Sequence, residues 1–489
     1  MTISHHERPQ RRVASLVAVA LTSVLAVGAA RAEIPEGPAA AGEAEKKFGG
    51  LVDGRVGIGQ VDEDLFLSVN IGTVLTWWKL GVGIQVPLRF RVMDEDPQND
   101  GALRKEDWDE VSDWTRVVRF ISWGTPDEWL YARIGVLEGT TIGHGTIVDR
   151  YMNVIDADHY QTGLQFKLDM DVAGGELFLD NLIDPEIFGM RAFMRPLQLW
   201  SGAPELAKAF EVGFTLVTDG VAPMQYETVQ RPVTGGGFEV VKQVNEDGEL
   251  VVTSEAAVLV GFDLGWLWRP VDWFAFRPYT DVNFLAATGG TGFHTGIAAA
   301  FDIAGAVTLG TRVEYRVVTA DYAPSWVNSW YEIERVDYLP APVGPNRDRV
   351  SKLKYYTLLD DAGEEDARHG WHASLDLTIM KAISFWALLE DYQGPDNSNL
   401  TMGVTLPYIA GVRAQIYYSK RNFNEASEAF DLDRGLFVAD IRYKFWGPMF
   451  AFATYSREWR LDKDPLSGSF GEYETINDWD VGVGAEFEF

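Results

Sequence analysis

The sequence predicts an all-β protein: a transmembrane antiparallel up-and-down β-barrel of about 20 strands (18–22), with long extracellular loops and short periplasmic turns. Three observations predict it. Apolar residues recur with period two along most of the chain, short connections alternate with long ones, and the N-terminus reads as an export signal.

From Lys79 to Met93 the apolar set Leu80, Val82, Ile84, Val86, Leu88, Phe90 and Val92 alternates with Lys79, Gly81, Gly83, Gln85, Pro87, Arg89 and Arg91. Successive strand side chains point to opposite faces, so one face is continuously apolar and the other carries glycine and charge. The same alternation runs through Tyr160–Leu168. It returns in Phe274–Phe284 against Arg277, Tyr279, Asp281 and Asn283, and in Val307–Tyr315 against Arg312, Glu314 and Arg316. Runs of about 10 residues match what a tilted strand needs to cross hydrocarbon.

A soluble sandwich also alternates, so the connections discriminate. Strands are expected at 51–60, 65–74, 79–93, 114–123, 129–137, 159–169, 173–181, 187–196, 209–217, 257–268, 273–286, 292–303, 306–318, 370–380, 383–391, 399–407, 411–420, 435–445, 449–459 and 478–489. Short connections then fall at 75–78, 124–128, 269–272, 304–305, 381–382, 408–410 and 446–448. The intervening ones include the long segments 94–113, 138–158, 218–256, 319–369, 421–434 and 460–477. Val350–Leu359 is a candidate for a further strand pair with part of 319–349.

Residues 1–32 carry Arg8, Arg11 and Arg12, then an apolar stretch from Val13 to Ala30, then the small-x-small sequence Ala30-Arg31-Ala32. That is the layout of a cleaved export signal, and ordinary Sec export is favoured over a twin-arginine route for the Arg11-Arg12 pair. Beyond it no apolar run is long enough for a membrane helix; the best, Ala256–Trp268, is interrupted by Asp263. The 489 residues hold 72 acidic against 42 basic side chains, a formal charge of −30, and no cysteine. These values exclude a disulfide-stapled domain, a thiolate metal centre and a basic nucleic-acid binder.

The chain ends Trp479-Asp480-Val481-Gly482-Val483-Gly484-Ala485-Glu486-Phe487-Glu488-Phe489, an alternating strand with a terminal Phe. This resembles the C-terminal signature of Gram-negative bacterial outer-membrane β-barrel proteins, porin-like in architecture over residues 49–489. The resemblance implies an outer-membrane location and recognition of Phe487 and Phe489 by the barrel-assembly machinery. It gives three segments: a signal peptide at 1–32, a short periplasmic lead at 33–48 and the transmembrane barrel at 49–489. The lead is too short for the plug domain that siderophore receptors carry, so active import of that kind is not expected.

A barrel this wide cannot be filled by its wall side chains and must hold water, infolded loops or both. The expected function is a porin-like channel for passive diffusion of small hydrophilic solutes or ions. The alternative is a loop-closed barrel serving as a surface binding or structural protein without transport. Pore-lining candidates on the polar phase of the wall are Arg89, Arg91, Arg133, Arg277, Asp281, Arg312, Glu314, Arg316, Arg413 and Arg442. Glycines such as Gly83, Gly163, Gly261 and Gly403 share that phase and are expected to keep the bore open. Acid is concentrated in the loop 94–113, so arginine on the wall facing acid at the rim would set up a transverse field; the favoured alternative is that these are solvated lumen charges that satisfy one another.

The loop 138–151 is rich in Gly and Thr yet carries Ile142, Ile147 and Val148, too apolar for a solvated tip. Two readings stand: it folds inward and brings Glu138, His144, Asp149 and Arg150 to the bore, or it is a surface Ω-loop packed on its neighbours. Trp326, Trp330, Tyr331 and Tyr338 are expected in an interface girdle or a packed cap. Asp96–Asp107 imitates a calcium loop imperfectly, with Gln98 and Arg104 at ligand places, so no metal is assigned. His369 and His372 fall on opposite strand faces, and no catalytic constellation emerges, so neither an enzyme nor a cofactor is expected. The expected partners are outer-membrane lipid, lipopolysaccharide and the assembly machinery, with no nucleic acid; the sequence is compatible with a homo-oligomer.

Overall fold

The computed structural model describes residues 48–489 apart from 62–63, 95–100, 105–106, 109–113, 155–159, 233–236, 246–249, 345–347, 365, 381, 433 and 464–466. The export signal, nearly all of the lead and most of the calcium-like stretch lie outside the described residues.

Twenty strands form one wall. They are Gly49–Val61 (β1), Asp64–Trp77 (β2), Leu80–Met93 (β3), Val118–Trp123 (β4), Leu130–Gly135 (β5), Gly163–Met170 (β6), Ala173–Leu179 (β7), Ile187–Met194 (β8), Phe210–Tyr226 (β9) and Val252–Trp266 (β10). The second half comprises Phe274–Leu285 (β11), Thr291–Ile303 (β12), Val307–Val318 (β13), Arg368–Ile379 (β14), Ile383–Tyr392 (β15), Ser398–Ile409 (β16), Val412–Phe423 (β17), Gly435–Trp446 (β18), Met449–Leu461 (β19) and Tyr473–Glu488 (β20). Each strand pairs antiparallel with its neighbours in sequence, and every expected strand is present.

The wall closes on itself. β20 pairs with β1 from Leu51↔Glu488 to Gln60↔Trp479, and Gly50 and Phe489 exchange two backbone hydrogen bonds of 3.0 Å. Closure leaves no strand edge unsatisfied, which is what allows a sheet to sit in hydrocarbon. Twenty strands at a tilt near 40° enclose a cylinder roughly 40 Å across.

Alternation decides which residues face where. On β1 Val52, Val56 and Ile58 are exposed outward while Asp53, Arg55 and Gly57 are buried inward; on β20 Val481 and Val483 face out and Glu486 faces in. Exposed Trp77, Trp78, Trp129, Trp273, Trp446, Phe487 and Phe489 gather at the short-turn rim, where amphipathic rings sit at a membrane interface. The turns there are tight: Ala410 and Gly411, at φ 51° and 82°, make a two-residue type I′ reversal between β16 and β17. The exception is 195–209, which holds a 3-10 turn at Pro196–Leu199 and the one-turn helix Glu205–Lys208 (α1).

Two features depart from the sequence reading. Val350–Leu359 adds no strand pair to the wall: the residues from Lys352 to Asp361 form a helix, with Tyr331–Glu334 (α2) before it and Lys352–Asp361 named α3. Ser351 caps α3 by accepting from the Lys354 amide, and Leu353 and Tyr356 one turn apart are buried, the pattern of a helix. The main apolar core also lies inside the cylinder, where Tyr151, Trp326, Tyr331, Leu353 and Tyr356 from two long loops pack against Ile187, Val217, Leu259 and Leu285 of the wall. Among the described residues no helix is long and apolar enough to cross a membrane.

Candidate functional site

The lumen wall carries its charges in pairs. On β13 Val313 and Tyr315 face out, so Arg312, Glu314 and Arg316 face in. Glu314 is a hub: it accepts from Tyr279 Oη at 2.6 Å and lies 3.2 Å from His294 Nδ1, and Arg316 Nε reaches the same carboxylate. Arg316 continues to Glu390 at 2.7 Å and to the Tyr392 hydroxyl. His372 Nε2 accepts from Arg312 Nε at 3.0 Å, so its proton sits on Nδ1 and is donated to Glu390 at 3.2 Å, which fixes a neutral ring. On the neighbouring wall Arg191 grips Asp263 with two bonds, of 3.0 and 2.6 Å, and Glu211 with a third of 2.7 Å.

The loop 136–153 crosses this lumen and is fastened on several sides. Its stem is a small ribbon in which Glu138 opposes Met152, and Val148–Asp149 pairs in parallel with Val327–Asn328 of the loop 319–367. Glu138 accepts from Arg119 at 3.1 Å and from Arg133 at 3.2 Å. At the tip, Asp281 on β11 receives Thr146 Oγ1 at 2.6 Å and lies 2.8 Å from His144 Nδ1, whose ring stacks on Tyr279 at 4.3 Å. Arg312 on β13 takes Asp149 and the His144 carbonyl together. Arg150 reaches Asp376 on β14 at 3.2 Å with its guanidinium 4.4 Å over the Trp386 ring. Glu138 is thus held at β4 and β5, Asp149 at β13 and Arg150 at β14. A cavity of about 10 Å³ lies between the loop tip and the wall at Thr215, Gly261 and Asn283, room for roughly one water.

The loop 319–367 fills the extracellular side of the same space. Trp326 is fully buried, and Trp330 donates to Ser419 Oγ at 2.7 Å on β17. Lys352 at the start of α3 donates to Glu334 at 2.6 Å and to the Trp326 carbonyl at 2.9 Å, ringed by Trp326, Tyr331 and Tyr338 at 5.3–5.5 Å. Burial pulls its ammonium below the ordinary lysine value, and Glu334 opposes that shift. Burial also acts on Glu334, yet Arg421 at 3.0 Å and Lys352 hold its carboxyl below the usual range. These aromatics form a packed cap within the barrel, so the girdle alternative is excluded for them.

A gap survives along one side. Beside the infolded loops an opening of about 80 Å³ follows the wall of β1–β3, β19 and β20, lined by Arg55, Ser68, Asn70, Arg89, Ser456 and Asp480 among others.

Each sequence candidate has a definite place. Arg89 meets Asp107 at 2.5 Å, with Arg104 and Arg116 on the same carboxylate, so Asp107 of the calcium-like stretch is engaged by arginine. Arg91 pairs with Asp64 at 2.7 Å, Arg413 and Arg442 sit near Glu486, and Arg277 lies part-buried on β11 near the short turns. Arginine does not line the wall alone, as the transverse-field reading requires; the wall charges satisfy one another. Asp53, Glu211, Asp263, Asp281, Glu314, Asp376, Glu390, Asp440 and Glu486 share the wall with the arginines, because an unpaired guanidinium away from water is costly. The glycines do not widen the bore either. A Cβ on Gly83 would meet the Phe120 ring at 2.5 Å and one on Gly403 would meet Trp386 Nε1 at 2.3 Å, so large lumen side chains lie flat over them.

Closure of β20 on β1, an apolar exterior and a charged interior together decide the class. The chain is an outer-membrane β-barrel. No protein-family model and no curated protein sequence matches this barrel. Solved structures similar to it include the outer membrane protein OpdK of Pseudomonas aeruginosa, 8% identical, covering 90% of this chain and 99% of that one at a TM-score of 0.31. The ferric enterobactin receptor PfeA of Pseudomonas aeruginosa is 9% identical, covering 91% of this barrel chain and 82% of its own at 0.37. The siderophore receptor PirA of Acinetobacter baumannii is 9% identical, with 91% and 81% covered at 0.36.

Proposed function

We propose that this barrel is a passive, porin-like channel for small hydrophilic solutes or ions, narrowed from within by its own two long loops. The observation that carries the reading is the opening of about 80 Å³ along β1–β3, β19 and β20, beside the infolded loops. Solute passing there meets Ser68, Asn70, Arg89 and Asp480 together with the apolar Val61, Phe66 and Leu88. No catalytic role is proposed for these residues. The export signal at 1–32 belongs to the same reading, since the barrel must be delivered unfolded to its membrane.

Lipid, lipopolysaccharide, the assembly machinery acting on Phe487 and Phe489, and a homo-oligomer are proposed as partners. The oligomer draws support from wall height. β4 and β5 have six residues and β6–β8 seven or eight, where the other strands have ten or more. A six-residue strand rises about 15 Å at such a tilt, short of an apolar band about 25 Å tall, so this flank favours contact with a second copy.

A second reading, a loop-closed surface barrel, is favoured by one observation: the lumen core around Trp326 packs like a folded domain. Recording purified protein in a planar bilayer separates the two. Discrete, salt-dependent conductance steps support the channel, and a silent membrane supports the closed barrel.

A further inference from the structure

Near the short-turn rim, cations outnumber the carboxylates that can satisfy them. Arg413 on β17 and Arg442 on β18 are direct cross-strand partners on the inward face, almost fully buried. Two like charges placed opposite one another repel, and their separation from water strengthens the repulsion. Arg55 on β1 and Lys444 on β18 join them, against Asp53, Asp440 and Glu486.

Those three carboxylates are already engaged. Asp440 takes Arg442 Nε at 3.3 Å and Arg55 Nη1 at 3.4 Å, and Asp53 Oδ2 lies 3.3 Å from Arg55 Nε and 3.9 Å from Arg442 Nη1, beyond hydrogen-bond distance of the latter. Glu486 takes Lys444 at 2.6 Å and the Tyr408 hydroxyl at 3.4 Å, leaving Arg442 Nη1 at 3.6 Å and Arg413 Nη1 at 3.9 Å. Asp480, further out along β20, accepts from Ser68. As a result Nη1 and Nη2 of Arg442, and Nε and Nη2 of Arg413, are buried without a hydrogen-bond partner. Phe450, 5.1 Å from the Arg442 guanidinium, and Tyr408, 5.9 Å from that of Arg413, hold their faces.

We propose that Arg413 and Arg442, supported by Arg55, bind a small oxyanion, a carboxylate or a phosphate, between their unpartnered N–H edges. Such an anion offers two or more acceptor oxygens in the spacing a guanidinium fork presents, and its charge relieves the cross-strand repulsion. The site deepens the channel reading, on which only the source of the anion rests: it makes this end of the path selective for anionic solutes in a protein whose total charge is −30.

The test is calorimetric titration of inorganic phosphate into the folded, detergent-solubilised protein at low ionic strength, with acetate in a parallel arm. Saturable binding at one site is expected, weakened about tenfold or more in R413Q and in R442Q. R413K, which keeps the charge and loses the planar fork, should fall between; R195Q, whose arginine follows β8 and pairs with Asp169 at 2.7 Å, should bind as the parent does. A heat-modifiable gel shift verifies that each variant is folded, and R413K serves if a glutamine variant is not. No saturable binding to the parent, or unchanged binding in R413Q and R442Q, overturns the site. Bilayer recording with phosphate added is the separate arm: binding without any conductance overturns the channel and leaves the site, whereas conductance without binding overturns the site and leaves the channel.

Discussion

Arg312 on the barrel wall holds Asp149 of the infolded loop, and the same guanidinium takes the His144 carbonyl five residues earlier. One wall residue thus fixes both the tip and the returning limb of the loop 136–153. Removing one partner of a buried pair strands the other, at a cost of about 3–5 kcal/mol. R312Q should loosen the loop and give a larger, noisier conductance in single-channel recordings. D149N should do the same, and the double variant should fall short of the sum of the two. Conductance identical to the parent in both would contradict the fastening.

The lumen core should be separable from the wall. Trp326→Ala deletes a fully buried ring, worth about 3–5 kcal/mol of loop packing, while touching no wall-closing bond. Limited proteolysis should cut within 319–367 much faster, and the heat-modifiable gel shift of the closed barrel should persist. Loss of both together would mean that wall and cap fold as one unit.

The loop between β7 and β8 should make the cap sensitive to pH. Burial, reinforced by Glu332 on α2, pushes the Asp180 carboxyl up to about 7. An acid whose folded pKa lies above its unfolded value of about 3.9 stabilises the fold fully below that lower value, and the contribution is lost as pH rises through about 7. Proteolysis of 319–367 should therefore accelerate as pH rises from about 4 to about 7 and level off above that, and D180N should flatten the profile. A flat profile in the parent would contradict the assignment.

The outward face should respond to charge by depth. Val56, mid-strand on β1, faces out opposite Val483, whereas Val52 lies nearer the short-turn rim. V56R should cost about 2–4 kcal/mol in folding into vesicles, and V52R about 0–1 kcal/mol. Equal costs would mean that this face does not meet lipid.

Period two made the wall legible, because a strand with one face in lipid has no freedom to lose its alternation. The packing of 138–151 was legible from Ile142, Ile147 and Val148, which a solvated loop has no reason to carry. The pairing was not. Asp53, Arg55, Arg191, Glu211, Asp263, Glu390, Asp440 and Glu486 all lie on the inward phase, yet which acid meets which arginine is set by register and by the path of loops across the lumen. The signal available was their phase alone. Trp326 and its neighbours fit an interface or an interior equally by composition, and α3 was concealed because a run as short as Val350–Leu359 fits a strand as well as a helix.

The most direct test of the central claim, a wet path along β1–β3, β19 and β20 beside the packed loops, uses the natural lack of cysteine. A single Ser456→Cys variant, at a residue lining that opening, is recorded in a bilayer while a charged, membrane-impermeant thiol reagent is added. Stepwise loss of current, with Val481→Cys on the outer face unaffected, is the predicted result. A current that Ser456→Cys labelling leaves unchanged would contradict the claim.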